Sequence, residues 1–208
     1  VYLWFHPKVG LWMGATPERL ISVDKQLNLK TMALAGTQKF NGTLQVNWEE
    51  KELHEQQYVT DYILENIKDK ITKTETKGPY TAKAGSLLHL RTDISAKLKT
   101  PNLLGDLINA LHPTPAVCGF PKVDAKDFIL QHENYNREFY TGFLGELNFA
   151  INNSKTKTSS LFVNLRCLKA KGNSMSLFVG GGLTLDSKSQ SEWDETSLKA
   201  QTLLSFIN

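Results

Sequence analysis

Apolar and polar positions change period several times along the chain, and each change marks an element. Residues 1 to 35 alternate. "VYLWFHP", "GLWMGATPERLISV" and "LNLKTMAL" set aromatic and β-branched residues between Gly, Pro and Asp, the period-two pattern of strands joined by tight turns. From Val46 the period lengthens. Leu53, Val59, Tyr62, Ile63, Ile67 and Ile71 recur at helical spacing, which predicts an amphipathic helix over roughly 48 to 71. "KDKITKTETKGPYTAKAG" has no apolar period and is expected to be a solvated, turn-rich connection. A strand, "SLLHLRTDI", follows, then a short helix on Leu103, Leu104, Leu107, Ile108 and Leu111. The three prolines and one glycine of "HPTPAVCGFPK" predict a shaped loop without regular structure. A helix is expected near "KVDAKDFILQHE". Strand patterns return in "TGFLGELNFAI", "SLFVNLRCLKA" and "MSLFVGGGLTL". The chain closes on a helix from about Ser191, packing through Leu198, Leu203, Leu204 and Ile207. Strands, then helices, then strands, with short connections and no repeat, predict an α+β fold with antiparallel sheet.

Composition narrows the classes. The 208 residues are 40% hydrophobic and 22% charged, ordinary for a globular chain able to bury a core. With 24 basic against 21 acidic residues, the net charge of +3 favours neither nucleic acid nor a membrane surface as a partner. Cys118 and Cys167 lie inside apolar runs and read as core thiols. No apolar run approaches the roughly 20 residues that span a bilayer, and no secretory leader is seen, so a cytoplasmic protein is expected. Val1 is not an initiator methionine, and "VYLWFH" begins in mid-strand pattern. That beginning reads as a fragment whose partner strands lie upstream.

Several residues could carry chemistry. Glu52 and Glu55 in "KELHEQQYV", and Glu192 and Glu195 in "SQSEWDETSLKA", form two Glu-x-x-Glu pairs at helical spacing. Each pair shares a helix face, which by itself reads as solvated surface before it reads as a metal site. If both faced one cavity, their oxygens would suit Mg²⁺, which takes one or two carboxylates and keeps several waters. The run Gly180, Gly181, Gly182 after a strand loses packing and entropy, and suits either close approach of an anion to backbone amides or a bulge. Arg166, inside an apolar strand pattern, must pair with a buried acid or face a cavity where its fork holds a carboxylate. Lys199 lies one turn after Glu195 and could pair with it or reach an anionic ligand. Glu18, after a proline at a strand end, could be a general acid if it faced an apolar cavity, and otherwise reads as surface. His89 reads first as a satisfied core histidine.

Taken together and in order, "GATPERL", "LAGTQ", "KELHEQQYV", "HPTPAVCGFPK", "NREFYTGFLG", "LFVNLRC", "LFVGGGLT" and "EWDETSLKAQTLL" resemble the chorismate-utilising enzymes, and most closely the isochorismate synthases. The resemblance covers residues 1–208 and implies the C-terminal portion of a chorismate-binding domain. It implies Glu55 and Glu195 as direct Mg²⁺ ligands, with Glu52 and Glu192 as supporting carboxylates. Glu18 matches the general acid and His89 a histidine near the substrate ring, and both are expected to be catalytic. Arg166, Tyr140, the amides of Gly180 to Gly182 and Lys199 match positions that hold substrate carboxylates, and Gly36 and Thr37 line the same pocket. Ala116 stands where amine-transferring relatives usually carry threonine.

The implied reaction is Mg²⁺-dependent: water adds at C2 of chorismate while hydroxide leaves C4. In isochorismate synthases the base is a lysine well upstream of the Glu18 position, and neither Lys8 nor Lys25 stands in a matching context. These residues alone are therefore expected to be inactive. The alternatives are an anthranilate or aminodeoxychorismate synthase, a salicylate synthase, or a non-catalytic metabolite-binding domain. The product would feed menaquinone or siderophore biosynthesis, and a monomer is expected.

Overall fold

The computed structural model of the chain describes residues 1–150, 157–185 and 187–205. Its first half runs β1 (Tyr2–His6), β2 (Gly10–Gly14), β3 (Arg19–Val23), β4 (Asn28–Lys39), α1 (Glu50–Ile67), β5 (Ile71–Ala84) and β6 (Leu87–Leu98). Then follow α2 (Leu104–Leu111), α3 (Pro115–Cys118), α4 (Lys122–His132), β7 (Phe143–Phe149), β8 (Thr158–Val163), β9 (Cys167–Lys171), β10 (Ser174–Phe178) and α5 (Ser189–Leu204). The strands form two antiparallel sheets, one in the order β1-β2-β9-β10 and the other β5-β6-β4-β3-β8-β7. The fold is α+β with antiparallel sheet, as the patterning predicts.

The larger core lies between the six-stranded sheet and helices α1 and α2. Strand β6 shows why. Leu88, Leu90, Thr92, Ile94, Ala96 and Leu98 are buried, while Arg91, Asp93 and Ser95 between them are only partly covered. Val59, Ile63 and Ile67 of α1, with Leu104, Leu107, Ile108 and Leu111 of α2, supply the facing layer. Gln56 and Thr60 are also buried there, and Gln56 Nε2 donates to Thr60 Oγ1 (3.0 Å) and Thr92 Oγ1 (2.6 Å). A second, aromatic core belongs to the four-stranded sheet. There the Trp12 and Phe178 rings stack at 5.2 Å, with Tyr140 against Phe178 at 5.5 Å. Cys118 and Cys167 are buried free thiols, as expected.

The structure corrects four expectations. The lysine- and threonine-rich stretch is not a connection but β5, a 14-residue edge strand. Its side chains are nearly all exposed, so it carries no apolar period, and pairing with β6 alone makes it a strand. "SLFVNLRCLKA" is not one strand: it breaks at Asn164 to Arg166 into β8 and β9, which belong to different sheets. "HPTPAVCGFPK" contains one helical turn, α3, begun by Pro115 behind Thr114, because proline at a first helical position costs no hydrogen bond. Finally, α5 has no buried residue. Leu203 and Leu204 are half-covered and Leu198 is exposed. Ile151 and Ile207, which also figure in the expected elements, lie outside the described residues. Among the described residues no helix is long and apolar enough to cross a membrane.

Candidate functional site at the crossing of the two sheets

Two connections pass side by side from one sheet to the other. Gly14 pairs with Cys167 in the smaller sheet, and Arg19 pairs with Phe162 in the larger. Between these pairs the backbones stay joined: Ala15 N–H donates to the Arg166 carbonyl (3.2 Å) and Val163 N–H to the Glu18 carbonyl (3.0 Å). Glu18 and Arg166 are thus carried on one double crossing. Asn164 pins it. Its side-chain amide donates to the Phe139 carbonyl (2.9 Å), and its Oδ1 accepts the Tyr2 hydroxyl (2.7 Å). Its N–H donates to the Gly142 carbonyl (2.7 Å), and its carbonyl accepts Thr141 N–H (2.9 Å). Two residues on, Arg166 takes a left-handed backbone, φ +46°.

Arg166 is 9% exposed, and no carboxylate among the described residues pairs with it. Its guanidinium donates to His89 Nε2 (2.6 Å) and to the Ala84 carbonyl (3.3 Å). Arginine only donates, so His89 Nε2 must accept, and the ring proton sits on Nδ1, which donates to the Gly36 carbonyl (2.9 Å). Burial, and then the charge of Arg166, pull the His89 pKa down to about 4, against a raising effect of the Gly36 bond. His89 is therefore neutral, with both nitrogens committed. Gly36, φ +66°, opens a register shift in the β4–β6 pairing, and a Cβ there would meet the Trp48 ring at 3.1 Å and Glu52 Cβ at 3.3 Å. Thr37 Oγ1 lies 3.5 Å from His89 Nδ1.

Glu18 is 6% exposed, and its carboxyl accepts from the Thr114 hydroxyl at Oε1, 3.4 Å away. Desolvation raises its pKa to about 7, with the Thr114 bond opposing. A carboxyl poised near neutrality can hold and release a proton. Thr114 also precedes α3, on which Ala116 is exposed.

The two glutamate pairs come together from helices far apart in sequence. Lys51 Nζ on α1 lies 3.0 Å from Glu192 Oε1 on α5, 3.9 Å from Glu55 Oε1 and 3.3 Å from Ser187 Oγ. Lys199 Nζ pairs with Glu195 Oε1 at 2.6 Å and donates to the Gly180 carbonyl at 3.0 Å, so the i,i+4 pairing is realised. Glu52 Oε2 accepts the Glu49 N–H (2.8 Å) in a capping box. Burial and neighbouring carboxylates raise Glu52 and Glu55, although the Glu49 bond and the Lys51 charge oppose this. At Glu192 desolvation is outweighed by Ser187, Lys51 and Lys199, which hold its pKa low.

The glycine run follows β10 outside any helix or strand. None of the three has the positive φ that an alternating anion nest uses. A Cβ on Gly180 would stand 2.7 Å from the buried Tyr140 hydroxyl, and one on Gly181 3.7 Å from Glu192 Oε2 and 3.8 Å from Glu195 Oε1. Around Gly182 there is open space. Gly180→Ala is expected to cost about 1–3 kcal/mol by overpacking. Tyr140→Phe, which removes the clashing oxygen, should restore most of that. Urea unfolding of the single and double variants checks this; equal losses with and without Tyr140 would refute it.

The structure thus gathers most of the expected residues into groups. Arg166, His89, Gly36 and Thr37 are linked through the His89 ring, Glu18 on the same crossing meets Thr114 instead, and Tyr140, Gly180, Gly181, Lys199 and the four glutamates gather where α5 meets the start of α1. Lys8 and Lys25 are exposed in turns. Two solvent-open clefts of about 420 and 390 Å³ on the six-stranded sheet are lined by none of these residues. Sequence reasoning missed Lys51, Thr114 and Asn164. Only for Lys51 was there a signal, its place four residues before Glu55, one helical turn away on the same face. Four carboxylates on two helices offer oxygen donors of the kind that suit Mg²⁺, and Glu192 Oε2 and Glu195 Oε1 both stand within 4 Å of where a Cβ on Gly181 would lie. No three His, Cys, Asp or Glu side chains among the described residues are already drawn into a cage, because Lys51 and Lys199 stand among them.

Known proteins carry the same arrangement of elements. The chain is 29% identical to isochorismate synthase MenF of Haemophilus influenzae, over 99% of this chain and 48% of that protein. It is 32% identical to isochorismate synthase MenF of Pasteurella multocida, over 94% and 46%. Among solved structures, the menaquinone-specific isochorismate synthase MenF of Escherichia coli superposes with a TM-score of 0.83 at 28% identity, covering 96% of this chain and 46% of that one. The chain spans about half the length of the curated relatives it matches. The family profile of the chorismate binding enzymes matches residues 2–208, and with it the chain belongs to that family.

Proposed function

We propose that these residues form the acid, metal and carboxylate-binding part of an isochorismate synthase, converting chorismate to isochorismate. One observation carries this reading. Arg166 is a buried cation with no carboxylate partner among the described residues, a state that costs free energy unless an anionic ligand completes it. Chorismate brings two carboxylates. His89 and the Ala84 carbonyl take part of the guanidinium and fix its plane, leaving the remaining N–H groups for a substrate carboxylate. Glu18, protonated below about 7, donates a proton to the departing C4 hydroxyl, which leaves as water. Tyr140 and Lys199 stand beside Gly180, where the Lys199 ammonium receives a second substrate carboxylate. Glu55 and Glu195 hold Mg²⁺, with Glu52 and Glu192 behind them. The bound ion supplies positive charge that neutralises a substrate carboxylate. His89, neutral and committed at both nitrogens, orients Arg166 and transfers no proton.

The water-adding base is the remaining requirement. The 208 residues are expected to bind chorismate with Mg²⁺ but not to convert it, while a whole protein that carries them yields isochorismate. Calorimetry and chromatographic separation of products test both halves. Turnover by the 208 residues alone would overturn the division of labour. Anthranilate formation by the whole protein when ammonium is supplied would replace water chemistry with amine chemistry.

A further inference from the structure

The lysine between the two glutamate pairs has no role in the chemistry above, yet it is the link between their helices. Its ammonium reaches Glu192 Oε1 at 3.0 Å, Ser187 Oγ at 3.3 Å and Glu55 Oε1 at 3.9 Å, although α1 and α5 are 141 residues apart at that contact. Glu55 and Glu192 face the same ammonium, and Glu192 Oε2 and Glu195 Oε1 both lie within 4 Å of the Cβ position at Gly181. Carboxylates gathered in this way repel and need a cation nearby. Lys199 serves Glu195 and also holds the Gly180 carbonyl, so among the ion pairs of the described residues it is Lys51 that spans both helices.

We infer that Lys51 is a built-in counter-cation that holds Glu55 and Glu192 together while no metal is bound and swings out when a divalent cation enters. The inference rests on reading the four glutamates as the cation site. Two positive centres cannot share one gap between carboxylates in a partly desolvated site, and the divalent ion is the stronger partner. Lysine suits the role. Its charge is compact and its stem flexible, and side chains about 30% exposed on Lys51 and Glu55 leave it a way out to solvent. Lys51 therefore sets a threshold, keeping the helices in register at low metal and weakening metal affinity by the work of displacing it.

Lys51→Met separates this from a simple structural bridge. Titrated with MgCl₂ by calorimetry, the variant is expected to bind about five- to tenfold more tightly than wild type. Its thermal midpoint without metal should fall, and saturating MgCl₂ should bring it back to the wild-type value. Lys51→Arg keeps the charge and should keep the weaker affinity. A merely structural bridge would lower the midpoint with and without Mg²⁺ and leave affinity unchanged or reduced, and that result overturns the inference. If wild type binds MgCl₂ and Lys51→Met binds it no more tightly, only the role of Lys51 falls. If neither protein binds it, with or without chorismate, the cation site itself falls, and this inference with it.

Discussion

Arg166→Asn is expected to weaken chorismate binding by about 100-fold or more without lowering the stability of the fold. Truncating one partner of a buried, hydrogen-bonded charge pair costs roughly 2–5 kcal/mol of binding, and each 1.4 kcal/mol is tenfold. Stability behaves differently because the acid partner belongs to the ligand. In the free chain the guanidinium is buried with a neutral imidazole and a carbonyl, so its removal relieves a desolvated charge. Asparagine is chosen because the position has φ +46°, and asparagine tolerates that left-handed backbone better than most residues. Calorimetry with chorismate and MgCl₂, beside urea unfolding of the free chain, reads both effects. Lost binding with a lost fold would make Arg166 structural, and retained binding would remove it from the site.

Glu18→Gln is expected to lower turnover of the whole protein by about 10²–10⁴-fold, the usual contribution of a positioned general acid. It should also change how stability depends on pH. Glu18 has its folded pKa raised, to about 7 from an ordinary 4.5, so between those values the native state holds a proton that the unfolded chain has lost. Stability is then full below about 4.5, falls as pH rises through about 7, and loses about 3 kcal/mol across that window. Glutamine cannot titrate, so the variant should lack this part of the slope and be relatively more stable at pH 8. Urea midpoints at pH 5 and 8 compare the two proteins. A slope shared by both would place the titration elsewhere, and unchanged turnover would remove Glu18 as the acid.

Much of the fold was legible where one face of an element is buried. The helical period of Val59, Ile63 and Ile67, and of Leu104, Leu107, Ile108 and Leu111, survives in the structure because those residues meet one sheet. Periodicity failed where no face is buried. In β5 residues 72–77 alternate threonine with charged residues and no apolar member, so the strand is decided by the β6 backbone beside it. It failed again at "LFVNLRC", where both sides of the break are apolar and only the bonds of Asn164 show that the chain changes sheets.

The site divides in the same way. By itself the sequence determined which chemistries are present: four glutamates at helical spacing, a glycine run, an arginine among apolar residues, and the ordered motifs of a chorismate-binding enzyme. It left open whether Arg166 meets an acid, whether Glu18 is surface and whether His89 moves protons, because each answer depends on partners far along the chain. Glu18 lies 96 residues from Thr114, His89 77 from Arg166, and Lys51 141 from Glu192. Tertiary structure alone brings these groups together. Burial then decides their charge, since a low-dielectric surrounding raises a lone carboxyl, neutralises an imidazole beside an arginine, and leaves a guanidinium in need of an anion.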